Sequence, residues 1–173
     1  MGRKGIEGFT LLELVVVIAL VGLLVAIAQG SMREVSSRAR LNSAFEMIGS
    51  DMRKARYGSL MEGEHHYIDF EPQAGSYLIN GQDRVKLPEG IRFGADSKVT
   101  GKPNQPGDLP PSDGITFKGD GVENRVKFYP KGLVIPTGAV YLTNGSETMA
   151  ITVYLNGHLR LWRSGGGNKW ALL

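Results

Sequence analysis

The chain has 173 residues, a formal net charge of +3 and no cysteine. This length fits one domain with an accessory segment, and so small a net charge does not by itself indicate a nucleic-acid-binding protein. The lack of cysteine excludes a disulfide framework and a thiolate metal site.

The first predicted element is an apolar helix that begins near the N terminus. The run from Phe9 to Ala28 carries one charged side chain, Glu13, and is otherwise almost wholly apolar. A helix needs about 20 such residues to cross the hydrocarbon core of a bilayer. We therefore expect residues 9–28 to form the transmembrane half of a long N-terminal helix, with residues 1–8 as a short basic segment before it.

Glu13 bears on three interpretations of this segment. A secretory signal peptide would be cleaved after Ala28 and a plain signal anchor would keep the helix, but neither gives the carboxylate a partner. A carboxylate deep in an apolar helix costs on the order of 2.5–3.5 kcal/mol on insertion scales. Cleavage between Gly8 and Phe9 would supply a partner, because the new α-amine of Phe9 would lie one helical turn from Glu13. The alternative is a Glu13 side chain that extends to the membrane interface.

Residues 8–14, with the sequence GFTLLEL, resemble the cleavage and methylation motif of type IV prepilins. The resemblance implies that residues 1–8 are a leader peptide, that prepilin peptidase cleaves after Gly8, and that Phe9 is N-methylated. It further implies that Glu13 pairs with an amine during filament assembly. The localisation it implies is the bacterial inner membrane, spanned once, with the remainder of the chain in the periplasm.

Residues 29–57 are predicted to continue the helix as an amphipathic half. Apolar residues recur there at helical spacing, and charged residues are expected on the other faces. The apolar stripe is Leu41, Phe45, Ile48, Met52 and Ala55, and the charged positions include Arg38, Glu46, Asp51 and Lys54. The pattern fits a helix laid across a sheet or a coiled coil, and the β-rich chain that follows favours the sheet.

From residue 58 onwards the periodicity changes to two, which predicts an antiparallel β domain over residues 58–173. The predicted strands are Tyr67–Phe70, Tyr77–Ile79, Ile91–Phe93, Ile115–Phe117, Val126–Tyr129, Ala139–Leu142 and Met149–Trp162, the last divided at Asn156-Gly157. Asn-Gly pairs at 80–81, 144–145 and 156–157 indicate hairpin turns of type I′. Residues 101–114 are predicted to form a long surface loop. The expected fold class is α+β, a long N-terminal helix packed on an antiparallel sheet or sandwich.

A basic cluster with aromatic neighbours follows the last Asn-Gly pair. We define the basic cluster as His158, Arg160, Arg163 and Lys169, which accompany Trp162 and Trp170. Phosphates attract arginine and lysine, and exposed bases stack on indole rings. The cluster is therefore a candidate nucleic-acid site. The favoured alternative is that Trp162 anchors the sheet while the arginines face water.

No catalytic site, metal site or cofactor is predicted, so the chain is not expected to be an enzyme. His65 and His66 are adjacent in a predicted strand and point to opposite faces, which makes a shared ion difficult. Asp120, Glu123 and Asn124 do not follow the spacing of an EF-hand loop.

The order of the elements resembles the H-type minor pseudopilins of type II secretion and the FimT-like minor pilins. The cysteine pair of common major pilins is missing, and residues 164–173 contain no acid of the kind that a major pseudopilin calcium loop would carry. The resemblance implies a structural subunit of a secretion pseudopilus, whose partners are other pseudopilin or pilin subunits, prepilin peptidase and the membrane. The alternative is a minor pilin that binds DNA for uptake, and a third interpretation is a secreted β domain released after Ala28.

Overall fold

The computed structural model describes residues 10–103, 105, 107–119 and 121–173, with backbone only for residues 25–32. The chain divides into two compact units, Met1–Ser36 and Ser37–Leu173. One helix, α1 (Leu11–Glu62), contains the boundary between these units. The β structure belongs to the second unit.

α1 ends at Glu62, beyond the end predicted near Tyr57. The next residue, Gly63, has φ +71°, the left-handed conformation in which helices commonly end. Gly58, which we took as the start of the β domain, lies inside the helix and against the next strand. A Cβ atom at Gly58 would lie 2.8 Å from Cε1 of His66. This glycine therefore permits a close contact and does not break the helix.

Ten strands follow α1 in the described residues, and they form two five-stranded antiparallel sheets. In chain order they are β1 (His66–Glu71), β2 (Ser76–Ile79), β3 (Asp83–Lys86), β4 (Arg92–Phe93), β5 (Arg125–Phe128), β6 (Val134–Ile135), β7 (Gly138–Thr143), β8 (Thr148–Val153), β9 (Leu159–Ser164) and β10 (Trp170–Leu172), with a short 3-10 turn at Pro72–Ala74. Sheet A has the order β3-β2-β1-β5-β6, and sheet B has the order β10-β9-β8-β7-β4. The predicted α+β class is confirmed.

One predicted strand is wrong and three strands were not predicted. The segment predicted as strand Ile115–Phe117 makes only an isolated bridge, between Ile115 and Val140. The strands missing from the prediction are β3, β6 and β10. Each is an edge strand of its sheet, and each is too short or too polar to show a regular alternation.

The apolar stripe of α1 packs on the two sheets, as the sequence predicted. Leu41, Phe45, Ile48 and Met52 have no exposed surface. They form one core with inward-facing residues of both sheets, among them Ile68, Tyr77 and Phe128 of sheet A and Val140, Leu142 and Ile151 of sheet B. This core holds the helix against the β structure from residue 37 onwards.

Asp51 is not on an outer face of α1, contrary to the prediction. It is 8% exposed, and its Oδ2 accepts a hydrogen bond of 2.6 Å from the hydroxyl of Tyr77. Its Oδ1 accepts a second hydrogen bond of 3.1 Å from Lys54. A buried carboxylate is tolerated when its oxygens have donors. Burial raises the pKa of Tyr77, and the hydrogen bond to Asp51 raises it further.

A second, smaller cluster covers the opposite face of sheet B. It consists of Ala139, Tyr141, Ala150 and Trp162, with Trp170 packed against it. The predicted loop 101–114 begins on this face, because Gly101 and Pro103 are buried. The indole N–H of Trp170 donates a hydrogen bond of 2.9 Å to the carbonyl of Gly101. The start of this loop is therefore part of the packing, whereas residues 107–109 are exposed as predicted.

All three Asn-Gly pairs lie in turns that join paired strands, as predicted. Only Asn80-Gly81 has positive φ at both residues, 52° and 72°. At the other two pairs the glycine alone is left-handed. The expected type I′ geometry is therefore wrong for residues 144–145 and 156–157. These turns hold four residues (144–147) and five residues (154–158) between the strands, against three (80–82) at Asn80, which changes the turn type.

Candidate functional site

Glu13 lies in the first turn of α1, where Thr10 caps the helix. The backbone N–H of Glu13 lies 3.2 Å from Thr10 Oγ1 and 3.1 Å from the Thr10 carbonyl. The order Thr-x-x-Glu is that of a capping box, in which the cap oxygen accepts from the backbone of the glutamate. The Thr10 cap on the Glu13 backbone was not predicted from the sequence, although the Thr-x-x-Glu spacing reveals it. The Glu13 side chain is exposed at the helix end that favours negative charge.

The helix surface after Glu13 is apolar on every side. Residues 11–24 are exposed, and the exposed fraction of the large apolar side chains among them runs from 46% at Val17 to 81% at Leu11. A helix that is apolar all round is stable when other apolar groups surround it. Within the described part of the chain, no helical stretch meets the length and hydropathy that a membrane span requires. Phe9 and the side chains of residues 25–28 lie outside the described residues, so the span over 9–28 stays a prediction.

The basic cluster is divided between the two faces of sheet B. Arg160 and Arg163 lie on opposite faces of β9, because side chains along a strand alternate. Arg163 donates a hydrogen bond of 2.9 Å to Asn42 on α1. The guanidinium of Arg160 lies 5.1 Å from the ring centre of Tyr154, beyond the end of β8. His158 lies in the β8–β9 turn and Lys169 in the β9–β10 turn.

Neither tryptophan near the basic cluster is fully exposed. Trp162 is 8% exposed, and its indole N–H donates to Thr152 Oγ1 at 2.5 Å. Trp170 donates to the Gly101 carbonyl and packs edge-on against Tyr141, with ring centres 6.0 Å apart. Both rings serve the packing of sheet B, as the favoured alternative supposed for Trp162.

Residues 3–29 match the family model of the prokaryotic N-terminal methylation motif. The chain is type IV pilin-like at its N terminus. No curated protein and no solved structure matches the chain. Type IV pilin-like proteins assemble with other pilin subunits and are processed by prepilin peptidase. The resemblance to type IV pilin-like proteins is therefore supported by the N-terminal motif.

The two predicted processing residues, Gly8 and Phe9, fall within the matched segment. They lie outside the described residues. Cleavage after Gly8 and methylation of Phe9 therefore stay predictions. Glu13 is the predicted assembly residue that the structure describes.

His65 and His66 contact different partners. His66 Nε2 lies 2.9 Å from Glu62 Oε2, and His66 Nδ1 lies 3.1 Å from the side-chain nitrogen of Asn80. The ring of His65 packs edge-on against Tyr129, with centres 4.7 Å apart. His66 thus ties the end of α1 to the Asn80 turn. Asp120, one of the three residues considered for calcium, lies outside the described residues.

A second candidate surface lies around the β8–β9 turn. Two depressions, of about 280 and 400 Å³, share His158 as a lining residue. The first lies between the end of α1 and the turn, and the second lies between the turn and Leu133. His158 was predicted only as a member of the basic cluster, because the approach of α1 to this turn is not visible in the sequence.

Proposed function

We propose that the chain is a minor pseudopilin, a structural subunit of a type II secretion pseudopilus, anchored in the inner membrane with its β domain in the periplasm. The observation that carries the proposal is the methylation motif at residues 3–29, which holds Glu13 in the first turn of an apolar helix. That helix continues into a β unit on which it packs. Such a chain can join a filament through the helix and present the β unit at the filament surface.

Assembly would depend on the charge of Glu13. Prepilin peptidase would cleave after Gly8 and leave an α-amine on Phe9, which would then be methylated. The Glu13 carboxylate could pair with this amine in the same helix or in a neighbouring subunit, and the pair would lower the cost of the charge in an apolar environment. Neighbouring helices would cover the exposed apolar surface from Leu11 to Leu24, which stabilises association by roughly 25 cal/mol per Å² buried.

The division of the basic cluster supports a structural role over the alternative, a FimT-like minor pilin that binds DNA. Phosphate recognition needs cations that reach one backbone together. Arg160 and Arg163 lie on opposite faces of β9, and Arg163 is bonded to α1. The basic cluster therefore offers no continuous cationic face along β9.

Mass analysis of the protein purified from membranes tests the processing. We expect a mature chain that begins at Phe9 and carries one added methyl group. A mature chain that begins at Gln29 would contradict the proposal, because the assembly helix would then be lost.

Deletion of the gene in its host separates the two functions. A pseudopilin is expected to be needed for export of type II secretion substrates, with DNA uptake unchanged. The opposite pattern, normal export with loss of DNA uptake, would favour the pilin alternative.

A further inference from the structure

We propose that His66 is a proton-sensitive clasp between the end of α1 and the β2–β3 turn. We define the His66 clasp as Glu62, His66 and Asn80. The neutral imidazole bonds both partners, and a second proton on the ring would break its bond to Asn80. All three residues belong to the Ser37–Leu173 unit, so the proposal does not depend on how the N-terminal helix assembles.

The side chain of Asn80 has one orientation that its surroundings allow. The Tyr67 N–H donates a hydrogen bond of 2.9 Å to Asn80 Oδ1, and the Tyr67 carbonyl accepts one of 2.9 Å from the Asn80 N–H. The amide oxygen therefore takes the place of a main-chain acceptor at the end of the β1–β2 pairing. Because Oδ1 faces the Tyr67 N–H, the amide nitrogen Nδ2 faces His66.

This orientation decides which ring nitrogen of His66 carries the proton. An amide nitrogen is a donor only, and Asn80 Nδ2 lies 3.1 Å from His66 Nδ1. Nδ1 therefore accepts and is unprotonated. The proton of the neutral ring is then on Nε2, which donates to Glu62 Oε2 over 2.9 Å. The neutral Nε2–H tautomer satisfies both contacts at once.

The imidazole is confined between the helix and the turn. The side chain of His66 is 14% exposed. Its ring lies against α1 at Gly58, where a Cβ atom would be within 3.2 Å of three ring atoms. Rotation of the ring by 180° would place carbon atoms against both Glu62 and Asn80. A proton added to Nδ1 would therefore point at the Asn80 amide nitrogen.

Protonation of Nδ1 would set two donors against each other. The Asn80 amide cannot turn over to accept, because Nδ2 would then oppose the Tyr67 N–H. The contact of Nε2 with Glu62 would become an ion pair, so α1 would stay tied to β1. The charged form thus holds the helix end and releases the β2–β3 turn. Histidine is the side chain whose charge ordinarily changes between pH 5 and pH 8.

The charges around the His66 clasp do not offer the imidazolium another partner. Within the described residues, Glu62 is the charged side chain in contact with the ring. On β5, Phe128 is the register partner of His66 and carries no charge. Other titratable side chains near the clasp are exposed or contact other groups: Glu64 and Asp83 are exposed, His65 and Lys127 pack on Tyr129, and Asp69 pairs with Arg125. The added proton therefore acts through Glu62 and Asn80.

Nuclear magnetic resonance of the full-length protein in detergent micelles tests the tautomer directly. The chain has three histidines, and 15N labelling of their rings distinguishes a protonated from an unprotonated nitrogen. At pH 8 we expect His66 to have an unprotonated Nδ1 and a protonated Nε2. The side-chain amide signals of Asn80 should then change with the same midpoint as the His66 ring between pH 8 and pH 5. A protonated Nδ1 at pH 8, or Asn80 signals that do not follow the ring, would overturn the proposal.

Asn80→Gly tests the link between the proton and the turn. Glycine accepts the φ of +52° at this position and removes the opposing donor without adding charge. The folded chain then binds the proton more readily, so stability relative to the parent should rise as pH falls. We expect the unfolding equilibrium constant to change between pH 8 and pH 5 by about threefold or more relative to the parent, as for one hydrogen bond. Denaturant titrations at both pH values measure it.

Two controls make this result specific. Asn144→Gly creates the same Gly-Gly pair in a turn that contains no histidine, and it should keep the pH dependence of the parent. In a His66→Gln background, Asn80→Gly should no longer alter the pH dependence. An unchanged pH dependence in Asn80→Gly, or an effect that persists without His66, would contradict the clasp. If Asn80→Gly fails to fold, the resonance experiment on the parent protein decides the outcome.

Discussion

Glu13 has a capped backbone N–H and an exposed carboxylate, and different substitutions test the two separately. Its backbone N–H is capped by Thr10, and its carboxylate is exposed at the start of α1. The cap depends on Thr10 and on the backbone of residue 13, so changing the Glu13 side chain leaves it in place. A pairing with the Phe9 amine would depend on the charge itself.

We expect Glu13→Leu and Glu13→Gln to remain in the membrane fraction but to be lost from filaments, because both remove the charge. Sheared filaments and membranes are compared by immunoblotting. Thr10→Ala is the matched control: it weakens the cap by about 1 kcal/mol and keeps the carboxylate, so incorporation should largely persist. Normal incorporation of Glu13→Gln would show that the charge has no role in assembly.

Gly157 lies against the side chain of Arg56, a contact that no pattern in the sequence predicts. Its φ is +72°, and a Cβ atom there would collide with the side chain of Arg56. Gly145 is also left-handed, with φ +90°, but a Cβ atom there would meet nothing within 4 Å. A side chain would strain the backbone at both positions, but only at Gly157 would it also collide with a neighbour.

Gly145→Ala should lower the free energy of unfolding by about 1–2 kcal/mol, the cost of a left-handed alanine. Gly157→Ala should lower it further, because Arg56 must also move away from Asn156. Denaturant titration measures both variants. In an Arg56→Ala background the difference between the two glycine positions should shrink, and an unchanged difference would contradict the proposed collision.

Two buried tyrosines predict a loss of stability at alkaline pH. Burial raises the pKa of Tyr77 and of Tyr141 from the ordinary value of 10.0. Above about pH 10 the unfolded chain releases these protons while the folded chain keeps them, so the free energy of unfolding falls as pH rises. The expected slope is about 1.4 kcal/mol per pH unit for each tyrosine. Below pH 10 neither group contributes a slope.

Denaturant titrations between pH 9 and pH 11.5 measure this slope. Tyr77→Phe and Tyr141→Phe should each flatten it. Tyr57→Phe is the control, because Tyr57 is exposed, and it should leave the slope unchanged. An equal slope in all three variants would show that other groups set the alkaline limit.

At the scale of elements, the stripe on α1 was predictable because its burial follows helical spacing. Ile48 is fully buried in the main core, so Ile48→Ala should cost about 2–5 kcal/mol of unfolding free energy. Ser43 lies on the exposed side of the same helix, and Ser43→Ala should change stability by less than about 0.5 kcal/mol. Chemical denaturation of both variants measures the difference. Similar losses for the two would contradict the packing of this stripe.

The elements that the sequence did not reveal depend on tertiary contacts. β6 covers only Val134–Ile135, and its backbone pairs with β5 and with the turn at Leu155. β10 is held by its pairing with β9 and by the contact of Trp170 with Gly101. Such strands form because the edge of a neighbouring strand is available for pairing. The residues that create this edge are distant in the sequence, so local patterns do not predict the strand. The same reason explains the missed position of Asp51, whose burial depends on a tyrosine in β2.

At the scale of the molecule, the sequence placed the N-terminal motif correctly but could not foresee how β9 would distribute its charges. Arg160 and Arg163 are close along the chain and face opposite sides of sheet B. Proximity in the sequence was therefore a poor guide to which of these side chains share a surface.

A DNA titration of the full-length protein tests whether the divided basic cluster binds nucleic acid. We expect no appreciable affinity at moderate salt, because the net charge is only +3 and the basic cluster is divided. Filter binding at low and moderate salt measures it, since phosphate contacts would give a steep salt dependence. Tight, salt-sensitive binding that Arg160→Ala with Arg163→Ala abolishes, and that Trp170→Ala weakens through lost base stacking, would favour the DNA-uptake pilin.

The placement of Trp162 and Trp170 has a spectroscopic consequence. The chain has two tryptophans, and both lie in the cluster on the face of sheet B opposite the main core. Their emission therefore reports the release of residues 101–103 and the loosening of that face, whereas circular dichroism at 222 nm follows α1. If the Ser37–Leu173 unit unfolds cooperatively, the two signals should give one midpoint in denaturant. A fluorescence change that precedes the loss of helicity would identify the covered face of sheet B as the part that opens first.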